Sequence, residues 1–206
     1  MQEPPRYDYP MPAITYDSAT ALVIVDVQND FAHPDGNLYV KGGEEVVPVV
    51  NSEIEKAKAA GAYVVHTADW HPESTPHFAK DGGIWPVHCV GDTWGAEFHP
   101  DLVVDGPVVR KGTNGEDGYS AFSMQDLVTK ETIPTELADL LRGRTVERIV
   151  VVGLATDYCV KATALDGVAA GFEVQVMTEA VRSVDLTDGD GDRALAEVAA
   201  AGGELI

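Results

Sequence analysis

The sequence predicts a single three-layer α/β/α domain built on a doubly wound, mostly parallel six-stranded sheet. Three observations carry this. Several apolar runs are too continuous for strands with a wet face, helical periodicities fall between them, and glycines stand at the junctions. In chain order, Ala21-Leu-Val-Ile-Val-Asp26 reads as a strand buried on both faces, and Glu45 to Ala60 as a helix stopped by Gly61. Ala62 to Thr67 is a second strand and Pro107 to Arg110 a short third. A helix over Thr135 to Leu141 ends near Gly143. Arg148 to Gly153 is the fourth strand, followed by a helix from about Asp157 to Ala170. Phe172 to Met177 is the fifth strand, Arg193 to Ala201 the last helix, and Gly203-Glu-Leu-Ile206 a sixth strand at the edge. Residues 1–18 read as an extended arm, with four prolines before Tyr16, and residues 19–206 as the domain.

Composition narrows the function classes. The 14 basic and 34 acidic residues give a formal charge of −20, a field that repels phosphate backbones and anionic headgroups. Nucleic acid and membrane surfaces are therefore excluded as expected partners, and a small molecule is favoured. The N-terminal region lacks the basic and apolar segments of a secretory signal, so a cytoplasmic protein is expected. With two cysteines, Cys89 and Cys159, a disulfide is then the poorer expectation. The proline-rich arm is a candidate element of a homo-oligomer interface.

Ligands of open α/β sheets bind beyond the carboxyl ends of the strands. Asp26 ends the first strand, Asp69 and His71 follow the second, Lys111 follows the third, and Cys159 lies just beyond the fourth. Cys159 stands in the first turn of a helix, where unpaired N–H groups and the helix dipole favour a thiolate. On location alone it reads equally well as a small core residue. Lys111 on the same rim would favour the thiolate further, and Asp26 could take the thiol proton and return it to a leaving amine. The pair Asp69-x-His71, with His88 downstream, offers a carboxylate and two imidazoles suited to a divalent metal with open water positions.

Five segments, Asp26-Val-Gln-Asn-Asp-Phe31, Asp69-Trp-His71, Trp85-Pro-Val-His88-Cys-Val90, Arg110-Lys111-Gly112 and Gly153-Leu-Ala-Thr-Asp-Tyr-Cys159-Val160, occur in this order. In that order they resemble the motifs of the nicotinamidase/pyrazinamidase branch of the isochorismatase-like cysteine hydrolases. The resemblance implies a catalytic triad of Asp26, Lys111 and Cys159, and an oxyanion hole from the backbone N–H groups of Ala155 and Cys159. It also implies a cis peptide between Leu154 and Ala155. It implies one divalent metal on Asp69, His71 and His88, with zinc the first expectation and iron or manganese the alternatives. His77 matches a fourth ligand in one subgroup. Phe31, Trp85 and Tyr119 would wall the substrate ring, and the metal would hold the ring nitrogen of nicotinamide.

Other signals are set aside. Asp188-Gly-Asp-Gly-Asp192 starts like a calcium loop but has Arg193 where glycine is required and Ala199 where glutamate is required, so it reads as a polar turn before the last helix. Lys111 to Gly118 is glycine-rich without the end of a phosphate loop, and reads as a flexible segment presenting Tyr119. His33 and His99 read as surface histidines. Three rivals stay open at this point: a metallohydrolase with Cys159 structural, a non-catalytic binder on the same fold, and an amidase for another small amide or ureido compound.

Overall fold

The computed structural model describes residues 14–206, so most of the arm expected over residues 1–18 lies outside the described residues. The strands and helices are β1 (Thr20–Val25), α1 (Asn29–Ala32), α2 (Val46–Ala59), β2 (Tyr63–Asp69), β3 (Val108–Lys111), β4 (Ser123–Gln125), β5 (Thr132–Pro134), α3 (Leu137–Arg142), β6 (Arg148–Leu154), α4 (Lys161–Ala169), β7 (Glu173–Arg182), α5 (Asp190–Ala200) and β8 (Glu204–Leu205). Six strands form one sheet in the order β3-β2-β1-β6-β7-β8, and each pairing in it is parallel.

The burial pattern explains the apolar runs. β1 lies between β2 and β6, and all six of its residues are buried. Its alternate side chains feed two cores. Leu22 and Ile24 join the core that includes Val46, Val50 and Ile54 of α2. Ala21, Val23 and Val25 join the opposite core with Leu137 and Leu141 of α3, Ala164 of α4 and Val198 of α5. With apolar partners on both faces, neither side of the strand tolerates a polar alternation.

Three differences from the sequence reading have local causes. α1 and the antiparallel pair β4–β5 are too short to show a period; β4 and β5 have three residues each. The expected helix from Asp157 opens instead as a π turn over Thr156–Val160, with the Val160 amide donating to the Ala155 carbonyl at 3.1 Å, before α4 begins. β7 runs on to Arg182, past a register irregularity opposite β6 between Val151 and Gly153. Among the described residues no helix is long and apolar enough to cross a membrane.

Candidate active site

The order of the sheet reverses between β1 and β6, the switch point at which open α/β sheets bind ligands. Asp26 follows β1 there at φ +49°, a left-handed conformation that aspartate tolerates better than most residues. Ala155 follows β6 across a cis Leu154–Ala155 peptide, as the motif implied. Gly153, at φ +111°, has no alternative: a Cβ there would sit 2.1 Å from the Val25 carbonyl oxygen.

The ends of β1, β2 and β3 and the π turn bring four reactive groups together. The Nζ of Lys111 lies 2.8 Å from Asp26 Oδ2 and 3.5 Å from Cys159 Sγ, and is ion-paired with Asp69 Oδ1. Asp26, Asp69 and Cys159 present ligand atoms within 4.8 Å of one another. Thr67 donates its hydroxyl to Asp26 Oδ1 at 2.6 Å, which orients the carboxylate. All of these side chains are buried, Asp26 completely.

Burial sets the electrostatics. It pushes the Cys159 thiol well above its ordinary range; Lys111 pulls it down, while Asp26 and Asp69 push it up. The thiol-lowering effect expected of Lys111 is thus outweighed by burial and the two carboxylates. Burial also raises Asp26, against the pull of Lys111. For Lys111, burial favours the neutral amine, but Asp26 and Asp69 prevail and hold it protonated. Burial works against the Asp69 carboxylate too, yet Lys111 and the neighbouring histidines hold it well below the usual range.

Beside this cluster stand the imidazoles. His71, His77 and His88 offer ring nitrogens within 4.8 Å of one another, all buried. Asp69 Oδ2 lies 3.8 Å from His71 Nε2 and 4.0 Å from His88 Nε2. His88 has its Nδ1 2.7 Å from the Pro86 carbonyl, and burial lowers its pKa to about 4, which keeps it neutral. Neither nitrogen of His71 has a hydrogen-bond partner, an uncommon state for a buried polar group. Three clustered imidazoles beside a carboxylate, with both nitrogens of His71 lacking a hydrogen-bond partner, are a donor set that suits a divalent ion, so these residues fit the expected metal.

Both groups open onto one cavity, through Asp69 and Cys159 on one side and His77 and His88 on the other. Phe31, Trp85 and Tyr119 line it, together with Leu38, Val40 and Tyr158. The Trp85 indole donates to the Tyr119 hydroxyl at 2.9 Å, and the Tyr158 ring packs edge-on to Trp85 at 4.9 Å. The 112–118 segment is a hydrogen-bonded loop that presents Tyr119 and also brings Asp117 to His77.

Several supporting residues escaped the sequence reading. Gln28 is fully buried, and its amide clamps the backbone of Asp69: Oε1 accepts from the Asp69 amide at 2.8 Å, while Nε2 donates to the carbonyls of Asp69 at 2.7 Å and Ala96 at 2.8 Å. Asp30 accepts from the Cys89 amide at 2.6 Å and so holds the peptide beside His88. A polar residue inside an otherwise apolar strand, as Thr67 is, was the available signal. Cys89 is not extended; at φ +45° its sulfur lies 3.8 Å from the Gly95 carbonyl, and it forms no disulfide with Cys159. His99 is buried rather than exposed, packed 5.8 Å from the ring of His33.

Fold and site together define a hydrolase on a doubly wound parallel sheet, with one buried lysine reaching both a carboxylate and a thiol. The chain belongs to the isochorismatase family, whose domain model matches residues 20–206. It is 37% identical over 203 residues to a nicotinamidase of Escherichia coli, covering 90% of this chain and 93% of that protein. Among solved structures it resembles a pyrazinamidase of Pyrococcus horikoshii in complex with zinc, with a TM-score of 0.81, 42% identity, and coverage of 91% of this chain and 98% of the other. It also resembles PnC1 from L. infantum in complex with nicotinate, with a TM-score of 0.85, 37% identity, and coverage of 94% and 95%.

Proposed function

We propose that this protein hydrolyses nicotinamide to nicotinate and ammonia through a thioester on Cys159, and accepts pyrazinamide as well. One observation carries the reading: Cys159, Asp69, His77 and His88 line a single cavity, with Lys111 bound to Cys159, Asp26 and Asp69 and with His71 beside the other two imidazoles. Asp26 takes the thiol proton, and Lys111 holds the charges of the pair. The sulfur attacks the carboxamide carbon, and the oxyanion is received by the amides of Ala155 and Cys159 at the start of the π turn, where backbone N–H groups lack carbonyls one turn back. Asp26 then protonates departing ammonia. It next activates the water that cleaves the thioester and regenerates the thiol.

Asp69, His71, His88 and His77 would hold the divalent ion, zinc first among the candidates. When bound, it supplies a Lewis-acid anchor for the pyridine nitrogen. Phe31, Trp85 and Tyr119 keep the ring flat, so that the carboxamide is aimed at Cys159. Nicotinate is the precursor from which NAD is rebuilt, so the activity serves NAD salvage, and the cytoplasm suits its two free thiols. Ammonia release from nicotinamide against a panel of small amides and ureido compounds, with metal content measured on the same sample, tests the assignment. Preference for an aliphatic or ureido substrate would overturn it.

A further inference from the structure

The three imidazoles are held in different ways at Nδ1. His88 meets a backbone carbonyl, His71 meets nothing, and His77 lies 2.8 Å from Asp117 Oδ1. Carbonyl and carboxylate oxygens only accept, so His77 directs an Nδ1 proton at Asp117, and Nε2 is the nitrogen left to face a metal. Asp117 differs from Asp69 in one further respect. Asp69 shares its charge with Lys111, whereas among the described residues Asp117 meets no lysine or arginine within 4 Å. Its charge is therefore available to balance a cation on the far side of the His77 ring.

Asp117 is also fixed in place by its own loop. Its backbone pairs with Gln125 in both directions, at 2.9 and 2.5 Å, and its Oδ1 accepts from the Gly118 amide at 2.9 Å. The same loop begins at Gly112, where a Cβ would sit 2.7 Å from His71 Nδ1, and ends at Tyr119, the hydrogen-bond partner of Trp85. One loop therefore touches two imidazoles and the aromatic wall.

We propose that Asp117 is a positioning residue that fixes His77 with Nε2 free for a divalent metal, and that through residues 112–119 it ties metal occupancy to the placement of Tyr119. This rests on the metal reading of the site given above. A carboxylate behind a ligating histidine raises the basicity of the ring and holds its orientation, and losing such a partner costs about 10–100-fold in metal affinity.

The test is a double-mutant cycle on zinc affinity, measured by chelator competition on the full chain. Asp117→Ala should weaken zinc binding about 10–100-fold. Asp117→Asn, which keeps an acceptor but not the charge, should fall between Asp117→Ala and the parent. In a His77→Ala background, adding Asp117→Ala should change the affinity less than about twofold, because a residue acting through His77 has nothing left to act on. Hydrogen exchange over residues 112–119 should slow on zinc addition in the parent and not in Asp117→Ala. Unchanged affinity in both Asp117 variants, equal losses with and without His77, or undiminished protection in Asp117→Ala would each overturn the proposal. A parent chain that takes up no zinc would instead overturn the metal reading itself.

Discussion

Asp69 and Lys111 are ion-paired in the buried floor of the cavity, and the pair joins the two halves of the site. Lys111 reaches onward to Asp26 and Cys159, while the second oxygen of Asp69 faces His71 and His88. The imidazole cluster and the buried thiol thus share one carboxylate.

Lys111→Met tests that sharing. The substitution leaves Asp26 and Asp69 buried with no cation between them, an arrangement that costs about 3–5 kcal/mol. At roughly 2–4 °C per kcal/mol for a chain of this size, the melting temperature should fall by roughly 6–20 °C. A variant as stable as the parent would show that the two carboxylates do not depend on the lysine.

Cys159→Ala should lower turnover of nicotinamide by at least about 10³-fold while leaving circular dichroism and metal content unchanged. A metallohydrolase with a structural Cys159 would keep most of its activity, so near-parental turnover decides for that rival.

Gln28→Glu is isosteric but removes a donor that serves two carbonyls and aims a carboxylate oxygen at them. The expected loss is about 2–4 kcal/mol of stability, read from urea midpoints. It should be accompanied by weaker metal binding, because the clamp holds the backbone of Asp69. Parental metal affinity in a folded Gln28→Glu would mean that Asp69 is placed without it.

His66 supplies a pH dependence away from the active site. It is buried in β2, its Nε2 accepts from the Asp105 amide at 3.3 Å, and burial lowers its pKa from 6.5 to about 4. The folded state thus favours the neutral ring. Its contribution to stability is complete above pH 6.5 and declines as pH falls toward 4, by about 2 kcal/mol at pH 5. His66→Gln keeps an acceptor and does not titrate, so its stability should fall less than the parent's between pH 7.5 and 5. Parallel curves would refute the assignment.

Exhaustive chelation should abolish nicotinamide hydrolysis without unfolding the chain, and zinc, iron and manganese added back separately should rank the candidate metals. Full activity in the metal-free protein would reopen the choice of substrate.

The sequence by itself determined the architecture. Runs such as Ala21–Val25 and Ile149–Val152 are apolar at successive positions because both faces of the sheet are covered, and that pattern is legible without coordinates. It also placed Asp26, Asp69, Lys111 and Cys159 on one rim, because strand ends in a parallel sheet share a side. Only the tertiary structure decided which of them touch. The pairing of Lys111 with both carboxylates, the clamp of Gln28 on Asp69 and the seat of His77 on Asp117 join residues about 40 to 85 positions apart, through side-chain directions that no periodicity encodes. The direction of the Cys159 shift was decided there too. A helix start and a lysine argue for a thiolate in the sequence, but the folded site adds burial and two carboxylates, and burial dominates.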